Sequence, residues 1–257
     1  MTKRLPFLMM RGGTSRGVYL NGANLPEERE ALAAVLLSLI GAEHPLCIDG
    51  LGGGTAVTCK VAMISPSEVA GCDVDYLFAQ VSPEKALVDF NPTCGNMLVG
   101  VGPAAIEMGL IPAADPLTRV EIHAVNTGAR ISAEVQTPGR RVRYDGTATI
   151  DGIPGSAAPI GLQFHGIEGS VTGKMMPTGR VLDRIGGIDV TCLDIAMPVV
   201  IARAADFGLS GLETREEITR NTALFAEIEA VRLEAGRLMG MGDVSRSVTP
   251  KFALVAP

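Results

Sequence analysis

The stretch Val88-Asp89-Phe90-Asn91-Pro92-Thr93-Cys94-Gly95-Asn96, with the apolar run that follows it to Leu110, constrains this chain more than any other. Asn91, Pro92 and Thr93 have the chemistry of a turn and a helix start. From Met97 to Leu110 the only charge is Glu107. Met97, Leu98, Val99, Val101, Ala104, Ala105, Ile106 and Met108 cover every side of a helical wheel, and a helix apolar all round is buried all round. Gly100 and Gly102 admit close neighbouring backbone, and Pro103 is expected to kink or restart the helix. A thiol, Cys94, then stands where a buried helix begins. Free amides and the helix dipole favour an anion there, and such a field makes a cysteine reactive. Cys94 reads equally well as a small core residue at a crowded turn.

The 257 residues fit one large or two small domains. They are 47% hydrophobic but only 4% aromatic, with no Trp, so the core is built from Val, Ile, Leu, Ala and Met. A net charge of −6 argues against nucleic acid as a partner, and no apolar run approaches the length of a membrane span. The basic residues and brief apolar patch between Met1 and Arg11 are too short for a signal peptide. Cys47, Cys59, Cys72, Cys94 and Cys192 are an odd number without paired spacing, and read as reduced thiols in a cytoplasmic protein. His44, His123 and His165 lie far apart and match no ligand pattern, so no metal site is expected.

Leu5 to Met10 can form a strand, followed by the loop Arg11-Gly12-Gly13-Thr14-Ser15-Arg16-Gly17. Bare amides with two arginines suit a carboxylate or phosphate; a hairpin turn with solvated arginines fits equally. Pro26 to Ile40 is an amphipathic helix closed by Gly41, with Leu32, Val35, Leu36 and Leu39 on its apolar face. Asp49-Gly50-Leu51-Gly52-Gly53-Gly54 lacks the Gly-Lys-Ser/Thr ending of a P-loop, which excludes nucleotide hydrolysis by that device. Lys60 opens the apolar run Val61 to Ile64. A lysine at a strand edge is usually solvated, whereas one beside a glycine-rich loop can be desolvated and poised as a base. Gly100-Val101-Gly102-Pro103 imitates a dinucleotide fingerprint, but a proline interrupts it and no strand leads into it, so no cofactor is expected.

Alternation over Val120–Ala124, Ile131–Val135 and Val142–Gly146 predicts strands joined by short turns, hence an α+β protein with a largely antiparallel sheet. Asp151 to Pro159 has linker composition, placing a domain boundary there: 1–155 and 156–257. Beyond it, Val171, Val181 and Ile188 to Val200 read as strands, and Leu212 to Met239 contains an amphipathic helix. Cys192 reads as core. Thr58-Cys59-Lys60-Val61-Ala62-Met63-Ile64-Ser65-Pro66 is echoed by the last nine residues, Thr249 to Pro257, with Thr, Lys, Ala and Pro coinciding. The echo implies two related domains. The sequence stops before a second cysteine-led helix, so the second domain is expected to be incomplete.

These stretches resemble the PrpF family of the diaminopimelate epimerase-like superfamily, and are most similar to 4-oxalomesaconate tautomerases. Carrying the resemblance are Met10 to Gly17, Asp49 to Gly53, Thr58 to Ala62, Cys94-Gly95-Asn96, Asp151 to Gly155, Gly242-Asp243-Val244 and Pro250-Lys251. Cys59 and Thr93 depart from the family's usual serine and asparagine. The resemblance implies two pseudo-symmetric domains, each a sheet wrapped round a central helix, and a cofactor-independent proton shift in an unsaturated tricarboxylic acid. It implies Lys60 and Cys94 as the catalytic pair. Moving a double bond beside carboxylates needs a base for a carbon-bound proton and donors for the resulting enolate. Lys60 suits the first role; Gly95, Asn96, Arg11, Thr14, Ser15, Arg16 and Lys251 are candidates to hold the small polycarboxylate substrate. A methylaconitate or aconitate Δ-isomerase is the nearest alternative. A two-thiol epimerase would need Cys192 to face Cys94, and a non-catalytic accessory or inactive truncated protein is the reading from another class. No nucleic acid or membrane partner is expected, and a homodimer is compatible with the chain.

Overall fold

The computed structural model describes residues 4–257; Met1–Lys3, which head the basic N-terminal stretch, lie outside the described residues. The chain divides into two compact units, the first ending at His165 and the second comprising Gly166–Pro257.

In the first unit the strands are β1 (Leu8–Gly12), β2 (Ser15–Asn21), β3 (Lys60–Pro66), β4 (Val74–Ser82), β5 (Leu87–Asp89), β6 (Leu117–Ala124), β7 (Ala129–Gln136) and β8 (Gly161–His165). They form one sheet in the order β1-β2-β3-β4-β6-β7-β8, with β5 also on β4. The β2–β3 and β4–β6 pairs are parallel and the other pairs antiparallel. Three helices accompany the sheet: α1 (Arg29–Ile40), α2 (Gly95–Leu98) and α3 (Val101–Glu107).

The predicted buried helix is present but broken. The interruption falls at Val99–Gly100, so that Pro103 sits in the first turn of α3, where its missing N–H costs little. Met97, Leu98, Val101, Ala104 and Ala105 share one core with residues of β2, β3, β4, β6 and β7, and partly buried residues of β1 and β8 pack on it. The sheet therefore wraps round α2 and α3. Its other face packs on α1 through Val18, Leu20, Val61 and Met63 against Leu32, Leu36 and Ile40. Each large aliphatic side chain so buried contributes roughly 1.5–3 kcal/mol.

Three local expectations change. Helix α1 begins at Arg29 rather than Pro26, because the Glu28 carboxylate caps it by accepting from the amides of Glu30 and Ala31. Val142–Gly146 is not a strand; it is irregular chain held by separate backbone bonds, the Arg143 amide donating to the Gln136 carbonyl and the Ala158 amide to the Tyr144 carbonyl. The linker-like stretch Asp151–Pro159 stays in the first unit, since it leads into β8, which pairs with β7, and the division falls after His165.

The second unit holds β9 (Asp183–Ile185), β10 (Ile188–Ile195), β11 (Met197–Arg203) and β12 (Lys251–Val255), ordered β12-β11-β10-β9, with α4 (Arg215–Arg220) and α5 (Thr222–Leu238). The expected single helix is divided at Asn221, whose side chain caps α5 by accepting from the Leu224 amide. Helix α5 covers the sheet through Leu224, Val231 and Ala235. Val171 and Val181 lie in irregular chain rather than strands. The fully buried Asp194 carboxylate organises part of it, accepting from Ser170 Oγ and from the Val171 and Thr172 amides. The echoed lysines behave alike: Lys60 opens β3, parallel to β2, and Lys251 opens β12, parallel to β11.

Among the described residues, no helix is long and apolar enough to cross a membrane, and no three His, Cys, Asp or Glu residues gather as metal ligands. All five cysteines are free thiols.

Candidate active site

Strand register builds one row of four residues across the sheet. Gly17 of β2 pairs with Lys60 of β3, Lys60 with Gln80 of β4, and Gln80 with Asp89 of β5. Directly opposed residues project from the same face of a sheet. On β3 and β4 that face also carries Ala62, Ile64, Tyr76 and Phe78, all in the core around α2 and α3. Lys60 and Cys94 therefore lie on the same side of the sheet, the thiol packed against the core from which the amine emerges.

Lys60 is half-buried. Its Nζ donates to Gln80 Oε1 at 2.6 Å and lies 5.1 Å from the centre of the Phe78 ring. Among the described residues it forms no salt bridge with a carboxylate. An ammonium over an aromatic face is attracted by the ring quadrupole, so Phe78 shapes the amine's surroundings as well as burying it.

Cys94 occupies the N-cap of α2 in an extended conformation, with no capping bond from its own side chain. The chain leading to it is tied down by Asn126, whose Nδ2 donates to the Phe90 carbonyl at 2.6 Å and whose Oδ1 accepts from the Phe78 amide. Two buried phenols hold the turn itself. Tyr76 donates to the Cys94 carbonyl and Tyr19 to the Met97 carbonyl. Burial, and after it the neighbouring Cys94 side chain, pushes both phenols well above the usual tyrosine range, so each remains a donor.

The β1–β2 hairpin presses its tip on the start of α2. A Cβ on Gly12 would fall 2.2 Å from the Asn96 carbonyl oxygen, and one on Gly13, at φ +51°, 2.2 Å from Asn96 Oδ1. Only glycines allow this approach. The same Asn96 Oδ1 accepts from the Thr14 amide at 3.2 Å. Ser15 is buried, and its Oγ is the one buried side-chain polar atom without a protein partner among the described residues. Around Gly95 the opposite holds: a Cβ there would meet nothing within 4 Å.

The structure brings Lys60, Cys94, Ser15, Thr14, Gly95 and Asn96 to one face and one helix start. Arg11 and Arg16 are cross-strand partners on the opposite face of the hairpin, both exposed. Arg11 Nη1 donates to the Gly13 carbonyl, and the Arg16 guanidinium lies over Gly53. Lys251 is exposed in the second unit. The glycine-rich stretch after Asp49 serves α1: the Leu51 and Gly52 amides donate to the Leu39 and Ile40 carbonyls. Sequence reasoning missed Gln80, Phe78, Tyr76, Tyr19 and Asn126. Only the register of β3 on β4 could have pointed to Gln80.

A cavity of about 840 Å³ lies elsewhere in the first unit, between β1, α3 and residues 143–160. Leu8, Met10, Pro103 and Ile160 line it, with Arg11 and Arg143. Neither Lys60 nor Cys94 reaches it. Its Tyr144, pushed up to about 12 by burial and by the Glu107 carboxylate, is a poor proton acceptor. The chemistry of the Lys60 face outweighs the size of this groove. Cys192 is buried in the core of the second unit, and burial, then the Asp183 carboxylate, pushes its thiol up to about 11, as expected of a packing residue.

A curled sheet about a buried helix, with an amine and a cysteine-led turn on its inner face, is the framework of an isomerase family. The chain belongs to the PrpF family: the family described as PrpF protein matches residues 2–257. It is 51% identical to the "Putative isomerase YbhH" of Escherichia coli K12 over 255 residues, which is 99% of this chain and 73% of that one. It is 48% identical to a "(4E)-oxalomesaconate Delta-isomerase" of Novosphingobium sp. strain KA1, covering 98% of this chain and 71% of the relative. Among solved structures, "Methylitaconate-delta-isomerase" superposes with a TM-score of 0.88 at 39% identity, covering 98% of this chain and 67% of that one. The expected α+β fold is the one found, and it is shared with that isomerase.

Proposed function

We propose that this protein is a cofactor-independent isomerase that shifts a proton and a double bond in an unsaturated tricarboxylic acid such as 4-oxalomesaconate. The observation that carries the reading is the half-buried Lys60 amine, held by an uncharged acceptor on the face where the Cys94-led helix begins. The isomerase and Delta-isomerase names of its relatives support the reaction class.

In this reading Lys60, uncharged, removes a proton from a carbon activated by neighbouring carboxylates. The electron pair moves through the double bond, giving a delocalised enolate. The Gly95 and Asn96 amides at the start of α2 hold a carboxylate of the substrate, and the unpaired Ser15 hydroxyl donates a further hydrogen bond. A proton is then delivered at the far carbon of the allylic system, either returned by the Lys60 ammonium or given by the Cys94 thiol; in the second case Lys60 releases its proton to solvent and the thiolate takes one up, restoring both groups. No electrons leave the substrate.

A panel of unsaturated tricarboxylates, 4-oxalomesaconate, 2-methylaconitate and aconitate, followed by ultraviolet absorbance, tests the assignment. Turnover of 4-oxalomesaconate above the others is expected. Turnover of none of them would overturn the reading.

A further inference from the structure

We propose that Gln80 is a positioning residue for Lys60: main-chain carbonyls lock its amide so that an uncharged oxygen aims the amine and separates it from the Asp89 carboxylate. This rests on the reading of Lys60 as the base.

The lock is a matter of donors and acceptors. Gln80 Nε2 donates to the carbonyls of Cys59 at 3.0 Å, Ala56 at 3.1 Å and Val81 at 3.3 Å. The amide oxygen carries no hydrogen and cannot take that place, because it would face three carbonyl oxygens. Oε1 is therefore turned toward Lys60 Nζ, at 2.6 Å. Two of the three carbonyls, Ala56 and Cys59, belong to the segment that delivers Lys60 to its strand, so the same contacts fix that segment and the amine it carries.

The choice of an amide has a consequence for charge. Gln80 stands between Lys60 and Asp89 in the cross-strand row. Asp89 Oδ1 is turned to the Asn91 amide and side chain, at 2.9 Å each. The Phe78 ring lies against the amine; the other titratable and polar groups on that side of the sheet are Tyr76 from β4, Tyr19 from β2, and Cys94 and Asn96 from the start of α2, while Arg16 projects from the opposite face of β2. A carboxylate in contact with a lysine favours its ammonium, the form that cannot accept a proton. A glutamine gives the same hydrogen bond without that charge.

The test compares the unmodified chain with Gln80→Glu, Gln80→Met and Lys60→Ala. Each is assayed with 4-oxalomesaconate across pH and checked for folding by thermal unfolding. In parallel the lysines are reductively methylated with ¹³C, and the Lys60 resonance, identified by its loss in Lys60→Ala, is titrated by NMR. Gln80→Glu is expected to move both the rising limb of kcat against pH and the Lys60 titration upward by about one unit or more. Gln80→Met, which keeps the length and removes the acceptor, is expected to lower kcat about tenfold or more with KM little changed. Folded Gln80 variants with the parent's pH limb, titration and kcat, beside an inactive Lys60→Ala, would overturn the role of Gln80 alone. A fully active Lys60→Ala would remove the base assignment and this inference with it. Should Gln80→Glu not fold, Gln80→Met decides.

Discussion

The Tyr76 hydroxyl donates a 3.2 Å hydrogen bond to the Cys94 carbonyl. Tyr19 does the same to the Met97 carbonyl at 2.7 Å, so two strands clamp one short turn. Both tyrosines are fully buried, and removing either hydroxyl takes one of two donors from its carbonyl, leaving only the Leu98 amide on Cys94 or the Gly100 amide on Met97. Tyr76→Phe and Tyr19→Phe are each expected to cost about 0.5–1.5 kcal/mol, read as a lower urea midpoint at an unchanged slope. Turnover should fall further than stability requires, because the turn carries Cys94.

The glycines of the hairpin and of the helix start should respond in opposite ways. Gly12→Ala places a methyl against the backbone of Asn96 and must part the hairpin from α2. It is expected to lower both the melting temperature and the activity. Gly95→Ala meets open space, and alanine favours a helix by up to about 1 kcal/mol, so the fold should be unharmed. If that space receives a carboxylate, KM rises while the melting temperature does not fall.

Ser15 gives a second split between stability and function. Its buried hydroxyl has no protein partner, so Ser15→Ala should be neutral or slightly stabilising in thermal unfolding. In the proposed reaction the hydroxyl serves the substrate, and kcat/KM should drop by roughly tenfold, the equivalent of one hydrogen bond of about 1.4 kcal/mol.

Loss of the Lys60 amine tests the chemistry most directly. Lys60→Ala should reduce kcat by on the order of 10²–10⁴, the usual worth of a positioned base. Steady-state rates on 4-oxalomesaconate, with circular dichroism as the control for folding, check it.

The second unit carries a pH prediction. Burial alone would push the Asp194 carboxyl up; donors from Thr172, Val171 and Ser170 outweigh it and hold it below the usual carboxylate range. A carboxyl lowered on folding stabilises the native state above its unfolded value of about 3.9, and that stabilisation is lost as pH falls through the lower folded value. Asp194→Asn should therefore be less stable than the parent near pH 7, by roughly 1.5–3 kcal/mol. The gap should narrow below about pH 4 in urea titrations at each pH.

Much of the site was legible because its parts are local in sequence. The run after Cys94 could only be an interior helix, and of the two readings of Arg11–Gly17 the hairpin turn is the one found. Gln80 was not legible. In Val74–Ser82 it is one polar residue among alternating ones, and it gains its meaning from the β3–β4 register and from three carbonyls of other segments. Tyr19 and Tyr76 read as apolar core, which they are, while their hydroxyls do separate work on α2. Asp151–Pro159 looked like a linker because composition records flexibility and not the pairing of the strand that follows it. Val171 looked like a strand residue because a buried carboxylate elsewhere, rather than a ladder, satisfies the amides around it.

The bond between Tyr19 and Met97 spans seventy-eight positions of chain, and the amine's own acceptor lies twenty positions from it. No fragment of the first unit can hold the reacting groups together before β2, β3 and β4 have paired. Catalysis here is thus a late product of folding, reached after the costly long-range closures, and it should be the first property lost when that part of the sheet breathes open.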